Sequence, residues 1–345
     1  MSEKDINTNV GGEEEAKVGY PELLSLSPAS HIKNWDTTGA IMLRVIVALL
    51  PACIWGVYRF GFRAAEILLI CTASAVLFEW LFCKIMKKKS TVGDLSAAVT
   101  GLLIGMNLTV TAPLWIGVVG SFFAIVVVKG LFGGIGKNIV NPALAARVFM
   151  FAWPGEMGLF AKAGERINSF GITVPNVDAV AGATPLASLG NGNVPEDVTL
   201  FDMILGNTGG CIGEVSAVLL ILGGIYLLCT EVITWHIPVS FIGTVALVTF
   251  IFPLGEADAT QFMLCQIFSG GIMLGSIFMA TDYVTSPVTR WGQIVYGAGC
   301  GLITVFIRYF GGYPEGVSFA ILIMNLVSGY IDKATMPRRF GGGKR

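Results

Sequence analysis

Residues 39–58 read Gly39-Ala-Ile-Met-Leu-Arg44-Val-Ile-Val-Ala-Leu-Leu-Pro51-Ala-Cys-Ile-Trp-Gly-Val-Tyr58, with one charge, at Arg44. A helix rises 1.5 Å per residue, so a run of this length measures about 30 Å, the thickness of a bilayer's hydrocarbon. Outward from it, further apolar windows fall at 64–86, 94–110, 113–131, 142–153, 210–229, 233–252, 261–281, 289–309 and 316–332. The third and fifth are short or rich in small residues, and are expected to be broken or tilted. The pattern predicts an all-α polytopic membrane protein of about ten transmembrane helices. It divides into a tail (1–38), a first five-helix half (39–153), a long polar loop (154–209), a second half (210–332) and a basic tail (333–345).

Composition agrees. The 345 residues are 54% hydrophobic and 13% charged, where a soluble domain carries about 25% charge. The net charge of −1 excludes nothing by itself, and no basic patch suggests nucleic acid. Two histidines, His31 and His236, are too few for a multi-histidine metal or haem site. No two of the seven cysteines have Cys-x-x-Cys spacing, and most read as small apolar fillers. The polar first 40 residues lack the apolar core of a signal peptide.

Ten crossings put both termini on one side, and charge says which. With the termini in the cytoplasm, the inside holds Lys84, Lys87, Lys88, Lys89, Lys129, Lys137, Arg290 and the five basic residues from Lys333 to Arg345. The outside keeps Arg59, Arg63, Lys162, Arg166 and Arg308. That is the asymmetry of the positive-inside rule, and it makes the loop 154–209 extracytoplasmic.

The halves also echo each other. Gly101-Leu-Leu-Ile-Gly105 resembles Gly271-Ile-Met-Leu-Gly275, and Phe132-Gly-Gly134 resembles Phe310-Gly-Gly312, at offsets of 170 and 178 residues. Five helices per half is odd, so the repeats would be inverted, as in transporters whose sites lie at the repeat interface. Simple helix packing by Gly-x-x-x-Gly is the alternative.

In the long loop stands Asp178-Ala-Val-Ala181-Gly182-Ala183-Thr184-Pro185. Physically this is a small-residue turn with an accessible hydroxyl at Thr184 and a proline that restricts the chain around it. An ordinary loop fits it equally. Asp-x-x-Ser/Thr-Gly-Ala-Thr, however, resembles the flavinylation motif of the membrane subunits of two related ion pumps, the Rnf complex and the sodium-pumping NADH:quinone oxidoreductase. Ala181 departs from the usual Ser or Thr but leaves the acceptor in place. Further likenesses run from about residue 27 to 340. They are Ser27-Pro-Ala-Ser-His31, Ala48-Leu-Leu-Pro-Ala52, Phe132-Gly-Gly-Ile-Gly-Lys-Asn138 with Asn141-Pro142, Gly213-Glu214, and Ala280-Thr-Asp282 with Thr285-Ser-Pro287. The short N-terminal tail resembles the D-subunit branch of the Rnf family more than the B subunit of the quinone-reducing relative.

The resemblance implies FMN joined to Thr184 by a phosphoester, which makes the chain both flavoprotein and phosphoprotein, with Asp178, Ala181, Gly182, Ala183 and Pro185 around the acceptor. It implies a subunit of an ion-translocating oxidoreductase (a translocase) in the bacterial inner membrane, linking electron transfer between ferredoxin and NAD to Na⁺ or H⁺ movement. Implied partners are the A, B, C, E and G subunits of the Rnf complex, with G and the A/E pair as neighbours. A non-covalent riboflavin is also implied, without residues to place it. No complete active site is visible in this chain, and no catalytic residue or metal ligand is assigned.

The residues themselves add two expectations. The helix beginning after Gly209-Gly-Cys-Ile-Gly213 would offer free N–H groups and a positive dipole end to the phosphodiester, with Gly213 and Glu214 close to it. Charges within the membrane are costly and mark function. Arg44, Glu79 and Arg147 are among them, and Asp94, Glu214 and Asp282 are the carboxylates expected on an ion path. A non-redox transporter or channel, or a structural scaffold, would share the helices but have no use for Thr184.

Overall fold

The computed structural model describes residues 37–161, 166–167, 185–190, 192, 199–214, 216–255, 258–311 and 315–337, all within one compact unit that begins at Thr37. Every apolar window carries helix, and no strand occurs among the described residues. The first half holds α1 (Thr38–Phe60), α2 (Phe62–Ile85), α3 (Ser96–Met106), α4 (Leu114–Gly130) and α5 (Pro142–Met150). The second holds α6 (Ala217–Cys229), α7 (His236–Ile251), the bent α8 (Ala259–Phe268 and Ile272–Met279), α9 (Arg290–Phe310) and α10 (Val317–Thr335).

Four helices, α1, α2, α9 and α10, are long and apolar enough to cross a bilayer, and α8 makes a fifth if its pieces count as one span. The others are shorter. α3 has 11 residues and α5 has 9, a rise of about 17 Å and about 14 Å, well short of ~30 Å. Local chemistry sets these ends. Asn141 caps α5 by accepting from the N–H groups of Ala143 and Leu144, with Pro142 as first helical residue. Thr37, Ser216, Asp258 and Thr289 cap α1, α6, α8 and α9 in the same way.

α8 is a broken helix. Its two pieces meet at 62°, and Gly270 at the break has φ +70°, a conformation that glycine adopts without penalty. A break inside a membrane protein frees backbone groups that must find partners. Arg308 of α9 supplies them, donating to the Gln266 carbonyl (2.7 Å), the Gln266 side chain (2.8 Å) and the Ser269 carbonyl (3.1 Å). Beyond the break every residue from Gly271 to Ala280 is buried, and Gly275–Met279 winds as a π-helix, as does Phe123–Gly130 in α4.

Both Gly-x-x-x-Gly motifs are packing sites. A Cβ on Gly101 would lie 2.6 Å from the Cys71 carbonyl, and one on Gly275 would lie 2.5 Å from the Val317 side chain. The main apolar core runs from α1 through α10. A satellite cluster of Leu189, Met203, Phe262 and Cys265 docks the short helices Pro185–Gly190 and Leu200–Leu205 on the first piece of α8. Large apolar side chains such as Ile54, Leu69, Leu247 and Phe306 are more than half exposed, on faces suited to lipid.

Candidate functional site

Asp178, Ala181, Gly182, Ala183 and Thr184 lie outside the described residues. Pro185, the next residue in the chain, opens the helix Pro185–Gly190, where its missing N–H costs nothing. Pro185 and Leu186 are buried. They line a polar pocket of about 20 Å³ with Thr208, Gly209, Glu214, Ser269, Gly270 and Glu315. That is room for about one water. The segment that follows the expected acceptor therefore meets the break in α8 and two carboxylates.

Behind those carboxylates lies Arg147 of α5, 3% exposed. It donates to the Asn107 side-chain oxygen at 2.5 Å and to Glu214 at 3.3 Å, and it pairs with Glu315. Cys211 lies 3.5 Å from the same guanidinium, and its thiol is 3.7 Å from Glu315. Both glutamates are largely withdrawn from solvent, at 6% and 16% side-chain exposure. One arginine thus faces two carboxyl groups, and Arg308 on the far side of Gly270-Gly271 lies within electrostatic reach of Glu214. The glycine pair leaves room for this arrangement. A Cβ on Gly271 would meet Glu214 at 3.2 Å and Arg147 at 3.5 Å, and one on Gly270 would meet Arg308 at 3.1 Å.

The segment expected to hold a phosphate is built differently from a plain helix start. Ile212–Glu214 forms a 3₁₀ turn, and α6 begins only at Ala217, where Ser216 accepts from the Leu219 N–H. The Cys211 N–H donates to Glu214, the Ile212 N–H to the Leu108 carbonyl, and the Glu214 N–H to the Cys211 carbonyl. Those three amides thus have acceptors. Gly213 is buried against α3, where a Cβ would meet that of Met106 at 2.7 Å.

A second polar region lies around Asp282. A cavity of about 310 Å³ is lined by Ser96, Thr100, Lys129, Asn138, Asn141 and Asp282 together with apolar side chains of α1, α3, α6 and the π-helical end of α8. Lys129, 5% exposed, donates to Glu79 at 2.6 Å and to Ser96 at 2.7 Å. Asp282 accepts from the Thr285 hydroxyl at 3.1 Å. Asp94 ends the 3₁₀ turn Val92–Asp94 ahead of α3 and does not line the cavity.

The three expected ion-path carboxylates are therefore not one cluster. A run of polar groups joins the two regions instead. Asn141, in the cavity wall, donates to the Met279 carbonyl at 3.1 Å. Asn107 contacts the Met279 sulfur at 3.7 Å and accepts from Arg147, which reaches Glu214 and Glu315. Sequence reasoning flagged Arg147 as a charge in the membrane but missed Asn107 and Glu315. Asn107 carried a usable signal, a lone amide in an otherwise apolar window. Glu315 sits in a polar connection and carried none.

Known proteins share this sequence over most of its length. A model described as the NQR2, RnfD, RnfE family matches residues 25–341. The D subunit of the Na(+)-translocating ferredoxin:NAD(+) oxidoreductase complex of Acetobacterium woodii is 46% identical over 321 residues, which cover 92% of this chain and 95% of the relative. The D subunit of the proton-translocating ferredoxin:NAD(+) oxidoreductase complex of Clostridium ljungdahlii is 39% identical, over 92% of this chain and 96% of the relative. The D subunit of an ion-translocating oxidoreductase complex of Escherichia coli is 33% identical over 93% of this chain and 99% of its own length.

Proposed function

We propose, from the fact that this chain belongs to the NQR2, RnfD, RnfE family, that it is the D subunit of an Rnf-type complex. In this reading it carries FMN on Thr184 and takes part in coupling electron transfer between ferredoxin and NAD to ion movement. The observation that carries the flavin reading is the run Asp178 to Thr184. Pro185, the residue after Thr184, is buried beside Glu214, Glu315 and the break in α8, so a cofactor tied to Thr184 would lie close to that polar region. The D-subunit names of relatives matched over almost their full length favour this over the quinone-reducing B subunit.

Bound flavin supplies one- and two-electron chemistry, and the protein supplies position and electrostatics. The water-sized pocket beside Pro185 is too small for an isoalloxazine ring, so the ring lies outside it. We assign the phosphoester to the loop 178–184. Gly213 contributes close packing on α3, and Glu214 joins Arg147 in an ion path. That path runs from Asp282 and the cavity near Asn141 through Asn107 and Arg147 to Glu214, and Asp94 is a further candidate carboxylate on it. Moving one charge against 100 mV costs about 2.3 kcal/mol, so the route needs polar groups that replace hydration, and these side chains provide them. The 310 Å³ cavity, with Lys129, Asn138, Asn141 and Asp282 in its wall, is the place we assign to a riboflavin.

Ten membrane helices arranged as inverted halves, with the short α3 and α5 reaching only partway, complete the reading. Both termini face the cytoplasm of a bacterial inner membrane, and the flavin loop lies outside. The partners are the A, B, C, E and G subunits, with G and the A/E pair adjacent.

The test is covalent flavin. The chain is expressed with its flavin transferase, denatured, and examined for flavin fluorescence on the gel band beside Thr184→Ala. A fluorescent wild-type band and a dark variant are expected. A dark wild-type band, with a positive control for the transferase, removes the covalent flavin.

A further inference from the structure

The end of α2 near residue 85 presents charge that the proposed redox role does not use. Residues 84–90, Lys84-Ile-Met-Lys87-Lys88-Lys89-Ser90, are all exposed at the end of α2. None of the four lysines forms an ion pair among the described residues. Glu79, the one carboxylate in the last two turns of α2, is 4% exposed and bound by Lys129 in the interior. The exposed charge at the end of α2 itself is therefore all positive.

Its shape is specific as well. The Lys87 N–H donates to the Lys84 carbonyl and the Lys88 N–H to the Cys83 carbonyl, which closes the helix in a Schellman turn. The residue in the left-handed position of that turn is Lys87, φ +52°, where glycine is the usual choice because it has no Cβ. A lysine here works against the turn and adds a charge to its tip. Below the lysines stand exposed apolar side chains, Leu77, Trp80, Leu81, Ile85 and Met86. The Lys84 ammonium lies 4.7 Å from the Trp80 ring centre and that of Lys88 lies 5.7 Å from Phe82. Aromatic rings at headgroup depth with ammonium groups above them match the layering of a bilayer interface.

We infer that the end of α2 is a binding site for an anionic phospholipid. The lysines 84, 87, 88 and 89 hold the phosphate, and Trp80, Leu81 and Ile85 lie along the acyl chains. A polybasic helix end of this kind contributes about a fivefold gain in anionic-lipid binding per lysine. An acidic face of a protein partner would meet the same charges but would leave the exposed Leu77–Met86 side chains without a counterpart of that depth.

The probe is phosphatidylglycerol, added to the full chain purified in a neutral detergent, with bound lipid counted by native mass spectrometry. Phosphatidylcholine serves as the comparison lipid. Wild type should retain phosphatidylglycerol in preference, and the preference should fall as salt is raised from about 0.1 to about 0.5 M. Replacing the four lysines with glutamine should weaken binding by at least about a hundredfold. Replacing them with arginine should retain it, which guards against a misfolded glutamine variant. Lys87→Gly should raise thermal stability and still weaken phosphatidylglycerol binding. Equal retention of the two lipids by wild type overturns the site. So does a glutamine variant that keeps the preference, or one that instead loses partner subunits on purification with no change in lipid.

Discussion

Replacing Arg147 with methionine removes the one cation between Glu214 and Glu315 while keeping a similar volume and the helix propensity of α5. Arg147 is 3% exposed and Glu214 6%, so solvent does little to screen either. Breaking a buried pair by removing one partner costs about 3–5 kcal/mol, because a charge is left without compensation. The side-chain oxygen of Asn107, 2.5 Å from Arg147, also loses its donor, which adds about 1 kcal/mol. Arg147→Met should therefore lose about 4–6 kcal/mol. The network matters less than its balance. Replacing a buried ionic group wholly by well-packed hydrophobic side chains of like volume is often close to neutral. The triple change Arg147→Met, Glu214→Met, Glu315→Met should recover more than half of the loss. The assay is unfolding of the purified chain in mixed micelles, followed by circular dichroism for wild type, single and triple variants. A single variant within about 1 kcal/mol of wild type would refute the reasoning. So would a triple variant no more stable than the single. If Arg147 also serves ion movement, the triple variant regains stability but not sodium or proton uptake by the assembled complex.

Three other changes test the scaffold. Gly101→Ala places a Cβ 2.6 Å from the Cys71 carbonyl and 2.7 Å from Thr72 Cα, so α2 and α3 must move apart at a cost of about 1–3 kcal/mol. Gly93→Ala meets nothing within 4 Å and should leave the melting midpoint unchanged. Arg308→Met deprives the Gln266 and Ser269 carbonyls at the bend of their donor, at about 1–3 kcal/mol each. Hydrogen exchange should then rise at residues 266–271 before it rises in α9, and equal protection in both proteins would contradict the role given to Arg308.

Much of this molecule is local information. An apolar run is read residue by residue, so residues 39–58 and the other windows announce helices without any knowledge of their neighbours, and helix is present in each. Capping is local too, and Asn141-Pro142 marks the start of α5 as a cap should. The candidate acceptor run at Asp178–Thr184 is legible for the same reason, since its chemistry is carried by seven consecutive residues.

Helix length was legible in part. The third and fifth windows read as short, and α3 and α5 have 11 and 9 residues, but nothing in the eighth window shows that α8 breaks at Ser269–Gly271, because that break depends on distant partners. The bend in α8 is held by Arg308 from α9, and the turn before α6 is tied to the Leu108 carbonyl after α3. The same holds for the buried charges. The sequence marks Arg147 as costly within a membrane, yet its partners come from residues 107, 211, 214 and 315. A charge in an apolar medium must be neutralised, and only the packing of α3, α5, α8 and the loops ahead of α6 and α10 selects the groups that do it. Tertiary structure alone separates Glu214 from Asp282 and connects them through Asn107 and Asn141.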